Sequence, residues 1–351
     1  MQPLDHEALA RIKRSFVTRR LDLADVAALD PAPRNLEPGD LVIARVEQLG
    51  HHTKIEHPNG RRAALHPGDT VLLACGARYA PDQFEADCPS AAGPADLAAA
   101  GGIAGLVRHQ HDRIAQPTRI EILGVLQDRA GCRINLKRYA IDGETRPICI
   151  PMLAVCGTAM NSGKTYTVAS LVRGYSNIGY RAAAIKVTGT GAGGDLWAYT
   201  DAGAHIALDF TDAGFSTTYR VPVSDILAGL WQLASATVSA GADVIVLELA
   251  DGLQQQETAA LLNTTRFLRS LTGVVFAACD ALGAKAGVSW LEMAGAPVCA
   301  VSGAIARSPL AMREAAEIVG VPCLTASGLQ ATDALAKFAT LQNEAPASDA
   351  A

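Results

Sequence analysis

Two lysines and a few oxygen-bearing side chains carry the chemistry legible in this chain. Lys164 and Thr165 close the run Gly157-Thr158-Ala159-Met160-Asn161-Ser162-Gly163-Lys164-Thr165. A loop of this kind, set between a strand and a helix, turns its backbone N–H groups onto a phosphate, with the positive end of the helix behind them. The lysine then reaches the β- and γ-phosphates, and the threonine hydroxyl ligates Mg²⁺. Five residues separate Gly157 from Gly163, one more than the usual pattern, whose first position falls here on Thr158. The apolar run 150–155 and the helix-like stretch 166–177 supply the strand and the helix that the loop requires. Nucleotide binding follows; the bland alternative is a surface loop with a chance Gly-Lys-Thr.

Other candidates sit near the ends of apolar runs. Lys186 ends a run and leads into the glycine-rich stretch 187–195, where it would meet an anion. Thr188 and Gly189 would lie on the substrate side, since glycines let a ligand approach the backbone. Asp195 would hold a metal or a substrate amine, or cap a helix. Glu248 ends the apolar run 243–248, where a second Mg²⁺ contact is expected, and Asp251 follows round the turn. A buried acid there without metal needs another partner. Asp280 is a weaker candidate of the same kind. Ser302, at the end of a late apolar run, would approach the base by analogy of fold.

The elements that must position these residues alternate. Expected strands are 150–156, 181–187, 243–249, 272–279, 297–301 and 321–324. Expected helices are 164–178, 224–240, 255–269, 283–294, 308–319 and 331–341. Such alternation predicts an α/β fold, a mostly parallel doubly wound sheet with helices on both faces, whose ligands bind at the carboxyl ends of the strands.

The first part of the chain reads differently. Residues 5–29 have apolar residues near helical spacing and a basic face, read as solvated surface with an interaction arm as the alternative, followed by a proline-broken linker. Residues 1–36 are thus a helix and linker, and 37–148 a small β-rich, barrel-like domain marked by Pro-Gly and Asn-Gly turns. Its later strands would cover 119–126 and 132–136, with a helix over 97–107 interrupted by Gly101-Gly102. Residues 149–343 form the nucleotide-binding domain and 344–351 a tail. Within 76–86, Arg78 would clamp a carboxylate or phosphate, and Asp82 and Glu85 would accept from an amine; local pairing is the competing reading. His51, His52, His109 and His111 lack the spacing of a metal site.

Composition narrows the partners. Hydrophobic residues make up 49% of the 351, and the formal charge is −5. No basic block argues for nucleic acid, and no apolar run is long enough to span a bilayer. Eight scattered cysteines without a Cys-x-x-Cys pair suggest a reducing cytoplasm, and the first residues lack the order of a secretory signal.

Over roughly residues 150–325 the chain resembles the dethiobiotin-synthetase-like branch of P-loop NTPases. That family's loop is Gly-Thr, four residues, then Gly-Lys-Thr, as from Gly157 to Thr165. Its strand-end lysine corresponds to Lys186, its metal-binding aspartate to Asp195, and the glutamate of its Val-Glu-Gly-Ala-Gly-Gly motif to Glu248. Leu249 and Asp251 replace glycines of that motif, so the substrate side differs. Asn161 to Thr165, Ile185-Lys186 and Asp201-Ala202-Gly203-Ala204 also look like the molybdopterin-guanine-dinucleotide biosynthesis protein B family. Partition-type ATPases of the same class carry a lysine where Ala159 stands. The resemblance implies ATP and Mg²⁺ as cofactors, a homodimer, and γ-phosphoryl transfer to a small carboxylate or carbamate that leads to C–N bond formation. Lys164 and Lys186 would be catalytic, Thr165, Asp195 and Glu248 would hold the metal, and the substrate would be a small anionic metabolite. A small-molecule kinase and an accessory NTPase acting on a protein partner remain alternatives. ATP is preferred because no Asn-Lys-x-Asp guanine-reading motif occurs.

Overall fold

A computed structural model describes residues 2–142 and 147–340. The chain divides into two compact units. One holds residues 1–142, 189–194 and 210–221; the other holds 143–188, 195–209 and 222–351. The expected tail, 344–351, lies outside the described residues.

In the first unit, five strands carry the core: β1 (Leu41–Gln48), β2 (Thr70–Cys75), β3 (Gly93–Ala99), β4 (Ile103–Gln110) and β5 (Thr118–Gln127). Pairing runs from β1 to β2 to β4 to β3 to β5 and returns to β1; only β2–β4 is parallel. Val42, Ala44 and Val46, then Val71, Leu73 and Cys75, then Ile120 and Ile122 share one buried cluster. Their spacing of two is that of one face of a pleated strand. Register shifts in β5 against β1 bend the strands as they pair on both sides.

Three expectations fail in this unit. Residues 97–107 form no helix: Gly101-Gly102 is the turn of the β3–β4 hairpin. Gly102 has φ +114°, and a Cβ there would collide with Ser15. The basic stretch 5–29 is not one solvated helix. After helix His6–Arg11, Lys13–Arg14 pairs in parallel with β2, short 3₁₀ turns follow, and Ala28–Asp30 pairs with β5. Its charges are engaged: Lys13 pairs with Asp69, Arg19 lies 2.6 Å from Asp212, and Arg14 donates to the Thr18 and Leu21 carbonyls. Phe16 and Val17 are buried. Residues 132–136 make isolated bridges instead of a strand.

The second unit is a six-stranded parallel sheet of β6 (Met152–Gly157), β7 (Ala182–Lys186), β8 (Ile206–Asp209), β9 (Val244–Glu248), β10 (Gly273–Ala277) and β11 (Val298–Ser302). The spatial order is β8-β7-β9-β6-β10-β11. Helices α1 (Lys164–Asn177), α2 (Gly194–Asp201), α3 (Val223–Ser239) and α4 (Ala281–Met293) lie between these strands in sequence. Every β6–β11 pairing is parallel, which requires such crossovers. Strand β8 and helix α2 were not expected; both are short and weakly patterned. The expected strand 321–324 is a single bridge to Val301, and the helix expected over 255–269 is broken into Gln256–Leu262 and Thr265–Leu268 at Asn263-Thr264. Among the described residues no helix is long and apolar enough to cross a membrane, and all eight cysteines are free thiols.

Replacing Gly102 by Ala combines positive φ with a steric collision, so stability should fall by about 1–3 kcal/mol. Calorimetric unfolding checks this; an unchanged melting temperature would contradict the hairpin geometry.

Candidate functional site

Strand β6 runs to Gly157, and its continuation is fastened on both sides. Thr158 N–H donates to the Ala277 carbonyl at the end of β10, and Leu253 N–H donates to Gly157. Helix α1 then starts at Lys164, with Gly163 at its N-cap at φ +92°. A Cβ on Gly163 would lie 2.8 Å from Ala304 N and 2.9 Å from Gly303 Cα, so glycine is required on both counts. Asn161 also sits at positive φ, 63°. The loop 157–163 is thus a tight turn of backbone between a parallel strand and a helix N-terminus. This unit is an α/β fold built on a parallel sheet.

Lys164 is buried, and its ammonium reaches back along the loop to the Ala159 carbonyl at 2.8 Å. Burial lowers its pKa, against the attraction of Glu248 and Asp251. Thr165 donates its hydroxyl to Asp195 Oδ1 at 2.8 Å. The other oxygen of Asp195 accepts from Lys186, whose ammonium also lies 4.0 Å from Glu248 Oε1. Glu248 Oε2 accepts from the hydroxyl of Tyr199. Thr165, Lys186, Asp195, Tyr199 and Glu248 are therefore linked side chain to side chain, on elements far apart in sequence.

The register of the sheet explains this meeting. Lys186 is aligned with Asp209 on one neighbouring strand and with Glu248 on the other. Burial opposes the charge on Lys186, but Asp195, Glu248 and Asp209 outweigh it and raise its pKa. Burial also works to raise Asp195, and Lys186 and Thr165 more than offset it, so Asp195 is held below its ordinary value. Glu248 goes the other way: burial and the nearby Asp195 charge raise its pKa despite Lys186 and Tyr199. Asp195, Glu248 and Asp209 act on the Lys186 ammonium, and Glu248 and Asp251 on that of Lys164, an acidic setting that suits a divalent cation. The oxygen donors Thr165, Asp195 and Glu248 suit Mg²⁺, which takes one or two carboxylates and completes its shell with phosphate and water. Among the described residues no group of three His, Cys, Asp and Glu side chains forms a metal cage. The buried Ser162 hydroxyl in the loop has no hydrogen-bond partner among the described residues.

The remaining expected residues are placed as follows. Met160 lies within the loop. Asp251 adopts φ +61° where the resembling motif has glycine, a strained conformation that aspartate tolerates better than most. A Cβ on the next residue, Gly252, would collide with the Thr158 carbonyl, so this turn presses on the phosphate loop. The Thr188 hydroxyl is engaged with the Ala250 backbone, accepting its N–H at 2.8 Å. Gly189 N–H donates to Thr218 at 2.8 Å. Ser302 is buried and donates to the Leu324 carbonyl at 2.8 Å, while Gly303-Ala304 braces the loop through Ala304 N–H to the Ser162 carbonyl. The 302–304 turn therefore supports the loop. Asp280 caps α4 by accepting from Gly283 N–H.

Arg78, Asp82 and Glu85 belong to the first unit. Arg78 is buried and donates to the Ala98 carbonyl and to Gln83, 2.8 Å away. Burial, with Arg78 beside it, pushes the neighbouring His52 down to about 3. Asp82 lies in the turn between Arg78–Tyr79 and Phe84–Asp87. Glu85 is 2.8 Å from His109 Nδ1 and accepts from the Tyr219 hydroxyl at 3.0 Å, contacts that lower its pKa from the usual carboxylate value. It lines a cavity of about 270 Å³ with Tyr79, Gln83, His109 and His111. Local pairing, the competing reading for this loop, describes Arg78 and Glu85.

Sequence reasoning missed Tyr199 and Asp209. Asp209 ends a strand too short to show a pattern. Tyr199 lies four residues after Asp195, a spacing that puts both on one helical face, and that signal was available once α2 was known.

No family model matches the chain, and no curated protein matches it. Similar solved structures include the signal recognition particle receptor FtsY of Elizabethkingia anophelis, with 15% identity, 59% of this chain and 69% of that one covered, and a TM-score of 0.34. The 54 kDa signal recognition particle protein of Aeropyrum pernix, in complex with GDP, has 15% identity, covers of 56% and 47%, and a TM-score of 0.34. A DUF1611 family protein of Anabaena variabilis has 16% identity, covers of 58% and 64%, and a TM-score of 0.39. This chain spans less than two thirds of the last two.

Lys186→Met would leave Glu248 and Asp195 buried without their cation, a loss of about 3–5 kcal/mol near neutral pH. Glu248 already has a raised folded pKa and would rise further. A carboxyl that holds its proton more tightly when folded adds stability as pH falls through that window. The deficit should therefore shrink on acidification to about pH 5. Urea denaturation of both proteins at the two pH values checks this, and an equal deficit at both would contradict the ion-pair geometry.

Proposed function

We propose that the second unit binds ATP with Mg²⁺ and transfers the γ-phosphoryl group to an oxyanion of a small carboxylate or carbamate. One observation carries the reading: the charged, buried Lys186 shares Asp195 with Thr165 of the phosphate loop. A loop lysine alone would serve any nucleotide-binding protein. A second buried ammonium at this place serves an anionic acceptor, because it supplies charge where two negative groups must approach. The resemblance to dethiobiotin-synthetase-like enzymes supports the same reading.

In this reading the N–H groups of 158–163 and the Lys164 ammonium cradle the β- and γ-phosphates. Thr165, Asp195 and Glu248 would hold Mg²⁺, which neutralises developing charge on the transferring group when bound. Lys186 orients the acceptor oxyanion. Transfer to a carboxylate oxygen gives ADP and an acyl phosphate, and attack by an amine then forms the C–N bond and releases phosphate. No protein nucleophile is needed. The first unit, whose strand pairings return to their start, is read as a barrel-like accessory domain.

The test is ATP turnover with Mg²⁺ across carboxylates, amino acids and diamines, with and without bicarbonate, and with GTP in parallel. Stimulation by one metabolite is expected. A uniformly slow rate that no metabolite changes would move the function to an accessory NTPase. Phosphorylated metabolite accumulating without C–N product would make it a kinase. Lys164→Ala should weaken nucleotide binding at least about 100-fold, since it removes the charge on the phosphates. Lys186→Met should leave nucleotide affinity within about threefold and lower stimulated turnover about 100-fold or more. Calorimetry and steady-state rates separate the two; unchanged binding and turnover in folded Lys164→Ala protein would end this proposal.

A further inference from the structure

We infer that Tyr199 is a positioning residue that fixes the Glu248 carboxylate for a divalent cation. The inference rests on the nucleotide and Mg²⁺ reading above and adds a residue to it. The Tyr199 ring is fully buried in the core cluster with Leu171, Tyr175, Ala182 and Val246. A phenylalanine would fill the same space. The hydroxyl adds one thing, a hydrogen bond to Glu248 Oε2.

That bond has a directional consequence. A carboxylate at the end of a strand rotates about its terminal bonds unless something holds it. Tyr199 occupies Oε2, and Oε1 is the oxygen 4.0 Å from Lys186. The phenol thus distinguishes two chemically equal oxygens and keeps one toward the Lys186–Asp195 pair. The same helix performs both tasks. Asp195 and Tyr199 are one turn apart on α2, so the element that gives Thr165 its partner also orients Glu248. Outer partners of metal-binding carboxylates act in this way, and removing one typically weakens metal binding about 10–100-fold.

Tyr199→Phe removes only the hydroxyl. The probe is Mn²⁺, followed by electron paramagnetic resonance in the presence of saturating ADP, with ADP affinity in chelator measured separately by calorimetry. Tyr199→Phe should bind Mn²⁺ at least about tenfold more weakly and keep its metal-free ADP affinity. Tyr175→Phe is the control. It deletes another buried phenol of the same cluster, whose hydroxyl lies 3.2 Å from the Leu335 carbonyl, and should leave Mn²⁺ affinity unchanged. Unchanged Mn²⁺ affinity in Tyr199→Phe overturns the inference while the nucleotide reading stands. A loss of metal-free ADP affinity or of the folded circular dichroism signal in Tyr199→Phe overturns it too, because the hydroxyl then serves the core. If the wild-type protein binds neither ADP nor Mn²⁺, the nucleotide reading fails and the inference falls with it.

Discussion

A buried ammonium must be neutralised, and the site of this protein follows from that constraint. Taking Lys186 out of water is costly unless opposite charge and hydrogen bonds surround it. The sheet supplies part of that charge through register alone. With β7 between β8 and β9, the lysine has Asp209 and Glu248 aligned on its flanking strands. Helix α2 supplies the rest through Asp195. Three carboxylates act on Lys186, and burial, helped by the nearby Asp195 charge, leaves Glu248 with a raised proton affinity.

The second constraint is room. The phosphate loop is squeezed by the 251–252 turn and by the 303–304 turn, and side chains at Gly252, Gly163 or Gly303 would collide with backbone. Left-handed backbone at Asn161 and Asp251 is the residue of that compression. Strain of this kind costs of order 1–3 kcal/mol per position and persists only where surrounding contacts dictate it. Here those contacts are Thr158 to Ala277, Leu253 to Gly157 and Ala304 to Ser162, backbone bonds that leave the loop little freedom. Such stiffness is what the phosphate-binding reading of this loop asks for, since rigid donors need no reordering when a ligand's charge changes.

In the first unit two arginines make structural contacts. Arg78 is expected to clamp an anion, yet it is buried against a backbone carbonyl and a glutamine, and Arg19 of the basic stretch lies on Asp212 and over the Phe16 ring. Arginine's several donors and flat face make it useful for stitching strands together as well as for binding ligands. The unit also takes in residues 189–194 and 210–221. The chain therefore leaves β7 at Lys186, contributes a glycine-rich segment to this unit and resumes in α2 with Asp195.

The parallel sheet, the phosphate loop and the lysine at the end of β7 were legible in the sequence, because each is a local signal. Apolar runs of strand length alternate with amphipathic ones, and Gly-Lys-Thr follows the first of them. The hairpin at Gly101-Gly102 was misread as a broken helix because alanine-rich strands lack the β-branched residues that mark period two. The stretch 5–29 was misread because its basic residues pair with Asp69 and Asp212, which are distant in sequence. The same distance hid the core of the site. Asp209 and Tyr199 matter only through strand order and the placement of α2, and a one-dimensional pattern does not encode which strand lies beside which. Sequence alone thus determined which residue types stand at the strand ends. Only the tertiary structure decided which carboxylates share Lys186 and which hydroxyl holds Glu248, because parallel neighbours are joined by crossovers and meet through the register of the sheet.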